Sequence, residues 1–454
     1  MTDLQTLTKE ELLALLQQAL GTIEALQLRI AALEQEIARL KGSAPPPPSA
    51  KPTPAVPAFV KPNAKKRPPT VRKKRAQSFV RKRHQPTQIV PHFPQTCCDC
   101  GRKLQGGWQH RVREVLELPQ APVEVIHHQI MARHCGVCQR RTVAQPDLSL
   151  SVVGQSRLGV RLTSLIAYLD SVCRMPVRLI VKLLSALYDL SLSIGEISEV
   201  LHRVAARGQP TYKKLLLQLR QSPVVHADET GWREEGRNGY AWSFSTPTLH
   251  YYVFPQTRRG AVVKETLSTA FRGALVSDFY NAYHYYLGPH QYCWVHLLRD
   301  VKQLTEQHPY DPQVNAFATQ LRALYDEAKA YSSPNRLARQ DRCWDLRVRL
   351  CALARRHEGA GRPERVLAQR LLKHELGLFV FVERPQVPSE NNAAERSVRP
   401  LVVLRKMSGG TRSAKGSQTV AVLMSLFGTW QAQGKDLLQE CQNMLTTKPE
   451  PETG

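Results

Sequence analysis

The sequence has no apolar stretch of membrane-crossing length: its longest run, Val420 to Phe427, is broken by Ser425 and falls far short of the ~20 residues a bilayer-spanning helix needs. An export signal is absent from the reading as well, because Met1 leads into an acidic, Gln-rich helical pattern with no cationic start before an apolar stretch. The expected location is therefore the cytoplasm. Acidic residues are in short supply, 38 against 63 Lys and Arg, which leaves a net charge of +25 in 454 residues. Such an excess points to a polyanionic partner, nucleic acid or an acidic membrane surface. Ten cysteines in so long a chain without an export signal suit a reducing compartment, where a tight cluster holds metal in preference to forming disulfides. At about 150 residues per domain the length predicts about three domains and excludes a single small binding module.

What is present begins with a seam. Leu12, Leu16, Ala19, Ile23, Leu26, Ile30, Leu33, Ile37 and Leu40 alternate at spacings of three and four, with Ile at successive a positions and Leu mostly at d. This pattern predicts a coiled-coil dimerisation helix over 1–42, parallel and two-stranded; an amphipathic helix packed on its own chain is the alternative. Thr8 with Glu11 forms a capping box at its start, and Gly42 and Pro45 end it. Residues 43–89 are expected to be a disordered linker, Pro-rich and then basic. From Lys61 to Arg83 there are eleven Lys or Arg and no acid, among them Lys65, Lys66, Arg67, Arg72, Lys73, Lys74 and Arg75. A run like this neutralises phosphates by counterion release, although an isolated one is as often a solvated linker.

Two Cys-x-x-Cys pairs follow, Cys97 with Cys100 and Cys135 with Cys138. Two intervening residues let one tight turn present both sulfurs to a tetrahedral zinc, and Gly101 and Gly136 ease the turn. Alternating segments, Val112 to Leu118 and Val123 to Ile130, suggest a hairpin that would bring the pairs together as a zinc ribbon over 90–148 holding structural Zn2+. Cys98 and His134 are spare ligands. Residues 149–220 read as helical, with Leu158, Leu162, Leu165, Ile166 and Leu169 along the first helix. Ser193 and Glu196 form a second capping box that opens a helix through Arg207. Helix, turn and capped helix with His202, Arg203 and Arg207 near its end fit a DNA-reading helix-turn-helix and plain helical packing equally.

Carboxylates carry the chemistry. Pro223 to Asp228 is a short apolar strand ending in an acid; Gly239 to Ser245 and His250 to Thr257 are strand-like; Gly260 to Ala270 is helical; Ala274 to Asp278 is a strand again ending in an acid; Gln291 to His296 leads into a helix. Three antiparallel strands followed by two helix-linked ones suggest an RNase H-like sheet, with 221–308 and 389–430 as its two parts and a helical insertion at 309–388 between them. A C-terminal helix and tail occupy 431–454. Two strand-end acids would converge on one sheet edge, and a hard divalent cation needs such oxygens, although a lone Asp at a strand end is most often a loop cap. Asn391 to Pro400 supplies a third acid, Glu395, four residues before Arg399 and thus on its helix face.

The segments His226 to Trp232, Ser277 to Tyr283, Cys293 to His296 and Asn391 to Arg396 resemble the motifs of the insertion sequence sixty-six family of DDE transposases. The order of zipper-like helix, basic linker, zinc ribbon, helical region and interrupted catalytic domain is similar to that family's as well. The resemblance implies a multidomain α/β chain in which Asp228, Asp278 and Glu395 bind two Mg2+ or Mn2+ ions. Glu390, five residues earlier and near Pro388, is the less favoured third acid. The resemblance also implies that Trp232, Cys293 and His296 support the site, and that element ends and target DNA are the partners. A bacterial, nucleoid-associated setting, a homodimer and accessory proteins of the same element belong to the same expectation. Arg396, Arg399, Arg405, Lys406, Arg412 and Lys415 are candidates for phosphate contacts, and the turn Ser408 to Thr411 either lets backbone approach DNA or is only flexible. Two rival readings are a nuclease of the same fold that cuts without joining, and a catalytically inactive zinc-containing DNA-binding regulator.

Overall fold

The structure, a computed structural model, describes residues 9–40, 85–116, 118 and 123–447. Lys65, Lys66, Arg67, Arg72, Lys73, Lys74 and Arg75 lie outside them, as do Thr8 of the first capping box and the turn at 119–122. The chain divides into two units, 1–116 and 117–454.

In the first unit α1 (Lys9–Leu40) is one continuous helix, along which Ile23, Leu26, Ile30 and Leu33 stand exposed. The first cysteine knuckle closes on itself: Cys97 N–H donates to Arg102 O at 2.9 Å and Gly101 N–H to Cys97 O at 3.0 Å.

The second unit repeats that closure in the hairpin of β1 (Ala132–His134) and β2 (Arg141–Val143), where Cys135 N–H donates to Arg140 O at 2.9 Å and Gln139 N–H to Cys135 O at 3.0 Å. The left-handed residue of the two turns is Gly101 and Gln139 respectively, so the turn does not depend on Gly136. The expected strands over Val112 to Leu118 and Val123 to Ile130 do not form among the described residues. Their apolar side chains are exposed, and a strand without a buried face has nothing to hold its register.

Helices α2 (Val160–Ser171), α3 (Val177–Tyr188) and α4 (Ile194–Gln221) come next. Leu158 lies ahead of α2 in the loop yet is buried. Ser193 caps α4 by accepting from Glu196 N–H at 3.1 Å, and α4 then runs through Pro210 to Gln221, well past Arg207. Nine of its residues, from Ile197 to Leu219, are buried. His202 Nδ1 meets Thr419 Oγ1 at 2.7 Å and the Arg207 guanidinium bonds Thr447 O. The segment is thus packed as a core helix, with two of the three expected DNA-facing side chains spent on the protein itself.

The centre is a mixed five-stranded sheet of β3 (Val224–Glu234), β4 (Arg237–Thr246), β5 (Leu249–Val253), β6 (Ala274–Ser277) and β7 (His290–Tyr292), in the order β5-β4-β3-β6-β7. β3, β4 and β5 are antiparallel; β6 and β7 run parallel to β3. Helix α5 (Ala261–Leu267) links β5 to β6, and α6 (Trp294–Gln307) follows β7. A helical insertion of α7 (Pro312–Ala330), α8 (Arg336–His357), α9 (Arg365–His374) and α10 (Val380–Glu383) precedes α11 (Asn392–Ser408), α12 (Ala414–Ala432) and α13 (Leu437–Thr446).

Alternation along β3 divides the core. Val225 and Ala227 join Trp242 and Phe244 in the larger cluster, filled from α2, α4, α12 and α13, while Trp232 packs with Leu401 and Leu404 of α11. The exposed edge of β5 is closed by α12: His250 N–H donates to Thr429 Oγ1 at 3.0 Å and Tyr252 N–H to Ser425 Oγ at 2.9 Å. The insertion has its own core, joined to the sheet by Trp294, which stacks on Tyr325 at 4.9 Å and gives its indole N–H to Leu378 O. Among the described residues no helix is long and apolar enough to cross a membrane.

Candidate active site

β3 is long and β6 short, and that mismatch creates the site. Their parallel pairing runs from Val224 opposite Ala274 to His226 opposite Val276, and then β6 ends. Continued by two residues, the same register sets Asp228 level with Asp278. The pairing of Ser277 with Tyr292 likewise sets Asp278 level with Cys293. Asp228 is therefore mid-strand and not at the strand's end; it still pairs with Ser243 of β4, while β6 on its other side has stopped. Backbone N–H groups orient both acids: Glu229 N–H donates to Asp228 Oδ1 at 2.9 Å and Tyr280 N–H to Asp278 Oδ1 at 3.0 Å.

Glu395 comes from the first turn of α11. Asn391, just before that helix, is 1% exposed and stitches three segments. Its N–H donates to Cys293 Sγ at 3.1 Å, and its Nδ2 donates to Ala227 O at 2.8 Å. Its Oδ1 is thereby left as acceptor for His226 Nδ1 at 3.1 Å, which puts the imidazole proton on Nδ1. Burial holds His226 below its ordinary range, which suits a neutral ring in that bond. The paired Asn391-Asn392 at the start of the helix was the sequence signal for this tie, and sequence reasoning gave it no role.

The three acids act on one another. Asp228 is pushed up to about 7, first by burial, then by the charges of Glu229, Asp278 and Glu395. Glu390 lies ahead of α11, and Glu395 is within its first turn. Glu395 Oε1 is buried without a hydrogen-bond donor, and His296 Nε2 stands 3.5 Å from it. His296 lies in the first turn of α6, directly after the fully buried Cys293 at the start of that helix; burial pushes the Cys293 thiol up. Cys293 thus meets the site through Asn391, whose N–H its sulfur accepts, and His296 is the member of the Cys-x-x-His pair that reaches the acids.

Glu229 points to the opposite sheet face and is a residue that sequence reasoning missed. Arg258 bonds its Oε1 at 3.0 and 2.5 Å, and the Tyr283 hydroxyl donates to its Oε2. The Arg258 guanidinium lies 3.8 Å over the Tyr280 ring. Burial is the first cause that raises Glu229, with the Tyr283 and Arg258 bonds opposing it. Trp232, four residues along β3 from Asp228, donates to Thr411 Oγ1 at 3.1 Å and anchors the second half of α11.

The basic residues after Glu395 separate into two groups. Arg396, Arg399, Lys406, Arg412 and Lys415 are exposed, Lys415 lying 3.6 Å from Glu199. Arg405 turns inward to Thr230 Oγ1, at 3.1 Å, and to Gly231 O. α11 continues through Pro400 to Ser408. The turn after it is pinned: Thr411 N–H donates to Arg233 O and Glu235 N–H to Thr411 O, both at 2.9 Å. A Cβ on Gly410 would meet Arg233 O at 2.0 Å, so this glycine serves close packing on β3 rather than flexibility or an approach to DNA.

The Cys97 and Cys135 thiols are both held below the ordinary range by backbone N–H groups, of Cys100 and Cys138 first. That environment favours the thiolate, the form that binds metal. Among the described residues no three His, Cys, Asp or Glu side chains form a ready-made cage for one ion.

Residues 155–419, more than half of the chain, match the family model described as Transposase IS66 family. All three acids and Asn391 fall within that span. The chain is also similar to two proteins of Sinorhizobium fredii (strain NBRC 101917 / NGR234), each described as uncharacterized. With y4jD it shares 26% identity over 282 residues, 55% of this chain and 55% of that protein. With y4jO it shares 29% over 161 residues, 35% of this chain and 48% of that protein. The chain spans about half the length of the curated relatives it matches.

Proposed function

This chain belongs to the IS66 family of transposases, and from that premise we propose that it cuts the ends of a mobile DNA element and joins the freed 3′ ends to target DNA. The observation that carries the reading is the meeting of Asp228, Asp278 and Glu395, from two parallel strands and a distant helix, closely enough that the other two raise the first. Antiparallel strands followed by parallel ones, in the order β5-β4-β3-β6-β7, support an RNase H-like core.

The residues fit divalent cations. All three donors are carboxylates, the oxygen set that hard cations take, and their mutual repulsion and the undonated Glu395 Oε1 both call for positive charge. Two ions held by Asp228, Asp278 and Glu395 would supply an activated water and charge neutralisation at the leaving 3′ oxygen. The chain's own residues set the geometry. Asn391 fixes the start of α11 against β3, Trp232 fixes its second half, and His296 sets its Nε2 3.5 Å from Glu395 Oε1. Arg396 and Arg399, exposed on the helix that bears Glu395, suit contacts to the DNA backbone. Cleavage and joining are the same in-line displacement with different nucleophiles, water first and the freed 3′ hydroxyl second, so positioning serves both.

The same proposal covers the rest of the chain. Cys97, Cys100, Cys135 and Cys138 hold one structural Zn2+; α1 pairs two copies in parallel; Lys65 to Arg75 bind DNA backbone; the protein works on the bacterial nucleoid, with or without accessory proteins of its element. The test is incubation of purified protein with labelled duplexes carrying the gene-flanking ends and Mg2+ or Mn2+, beside Asp228→Asn, Asp278→Asn and Glu395→Gln. Metal-dependent nicks and joined products, lost in each variant while DNA binding persists, are the expected result. Nicks without joined products point to the nuclease, and binding without cutting in the wild type to the inactive regulator.

A further inference from the structure

Asp278, alone of the three acids, lines a cleft of about 500 Å³ whose far wall is not part of the sheet. One wall carries Asp278, Tyr280 and Arg258; the other is α9 of the insertion, through Gln369, Arg370 and Lys373. Two of its three cations are already balanced, Arg258 by Glu229 and Arg370 by Asp300, each at 2.5 Å. Both guanidinium groups also lie over aromatic rings, Arg258 at 3.8 Å from the centre of Tyr280 and Arg370 at 5.3 Å from that of Phe279. They are therefore held as flat, oriented surfaces rather than as mobile charges. Gln369 and Lys373 are different: both are exposed, and neither has a hydrogen-bond or ion-pair partner among the described residues.

This combination has a chemical meaning. Guanidinium planes stack on bases, an amide reads a base edge, and an unpaired ammonium takes a phosphate oxygen. The volume lies within the roughly 300–1,000 Å³ of pockets that hold one small molecule, which suits a single nucleotide and not a base pair within a duplex. Because Asp278 lines the cleft, a nucleotide bound there would lie next to a phosphodiester held at that acid. We propose that the cleft takes one unpaired nucleotide of the strand next to the bond being cut, with Gln369 and Lys373 as positioning residues supplied by the insertion. The inference rests on the functional reading above and gives the insertion a task within it, setting the register of the strand at the acids.

The test uses the full chain and a tetrathymidylate carrying iododeoxyuridine, which couples to a neighbouring aromatic ring on illumination. Peptide mapping should find the label on Phe279 or Tyr280. Gln369→Ala with Lys373→Ala should lower the yield on the order of tenfold, the scale of one charge-assisted hydrogen bond. Lys264→Ala, on exposed surface of α5, should leave it unchanged. Labelling confined to other segments, or a yield indifferent to the Gln369 and Lys373 changes, overturns the proposal. Asp228→Asn run in parallel separates the two readings. If it labels the cleft but still cuts, the acids are misassigned and the cleft stands; if the wild type cuts with metal but does not label the cleft, the reverse holds.

Discussion

At the residue scale Asp228 is held by burial and by like charges together. Its carboxyl, ordinarily near 3.8, is pushed up to about 7 by burial and by neighbouring acids. A folded value above the unfolded one means that the folded protein binds the proton more readily. The associated stability is complete below about 3.8 and is lost as pH rises through about 7, a change of at most roughly 4 kcal/mol. Asp228→Asn keeps the shape and removes the charge. Without metal the variant should melt above wild type at about pH 8 and level with it near pH 4, and Mg2+ should narrow the gap at the higher pH by stabilising only the wild type. Calorimetry showing the same difference at both pH values would mean that no such penalty exists. The residue that presses the catalytic reading furthest is thus one whose removal should make the empty protein more stable.

At the element scale the site depends on how α11 and the insertion dock. The turn after α11 is held to β3 through Gly410, whose φ of 105° and 2.0 Å clearance to Arg233 O leave no room for a side chain. Gly410→Ala should cost roughly 2 kcal/mol or more and slow cutting, since the turn must lift from β3 and take the end of α11 with it. Urea unfolding with an unchanged midpoint would show that the turn is not under this constraint. The insertion meets the sheet at a histidine cluster, where His284, His290 and His374 surround Tyr292, the His284 and His374 rings being 4.9 Å apart. Burial and the neighbouring positive charges hold His290 down to about 3 and His374 down to about 4. These rings are neutral in the folded protein and accept protons more readily once unfolded. Their stabilising effect is present above about 6.5 and is lost as pH falls toward 4, roughly 3 kcal/mol for His374 alone. Melting temperature should therefore drop steeply between pH 6.5 and 4.5, and His374→Gln should flatten that slope; a variant as acid-sensitive as wild type would remove His374 from the account.

At the scale of the whole molecule the proposed pairing of two chains rests on α1. Ile23, Leu26, Ile30 and Leu33 each remain about half exposed or more, an apolar stripe that a lone helix in water has no means of burying. Two chains paired along it would bring two catalytic units together, which suits a reaction on the two ends of one element. Ile30→Lys, at an a position, should halve the mass measured by light scattering and leave the far-ultraviolet signature of the second unit intact. A wild type that is already monomeric at micromolar concentration would remove the zipper from the proposal.

Periodicity and short-range chemistry determined what could be read from the sequence alone. The α1 stripe, the Ser193 cap, the strands that carry the acids, the helical character of the insertion and the family motifs each depend on residues close together along the chain, where local sterics and hydrogen bonding decide the outcome. Tertiary structure decided the rest, because it depends on which distant segments meet. The early end of β6, rather than the end of β3, is what leaves Asp228 and Asp278 level beyond the last strand pair. Asn391 became a tie only when β3, α6 and α11 converged, and Glu229 a partner of Arg258 only across the sheet. The alternation over Val112 to Ile130 misled for the same reason, since a strand is stabilised by the neighbour that buries its face, and local sequence does not supply one.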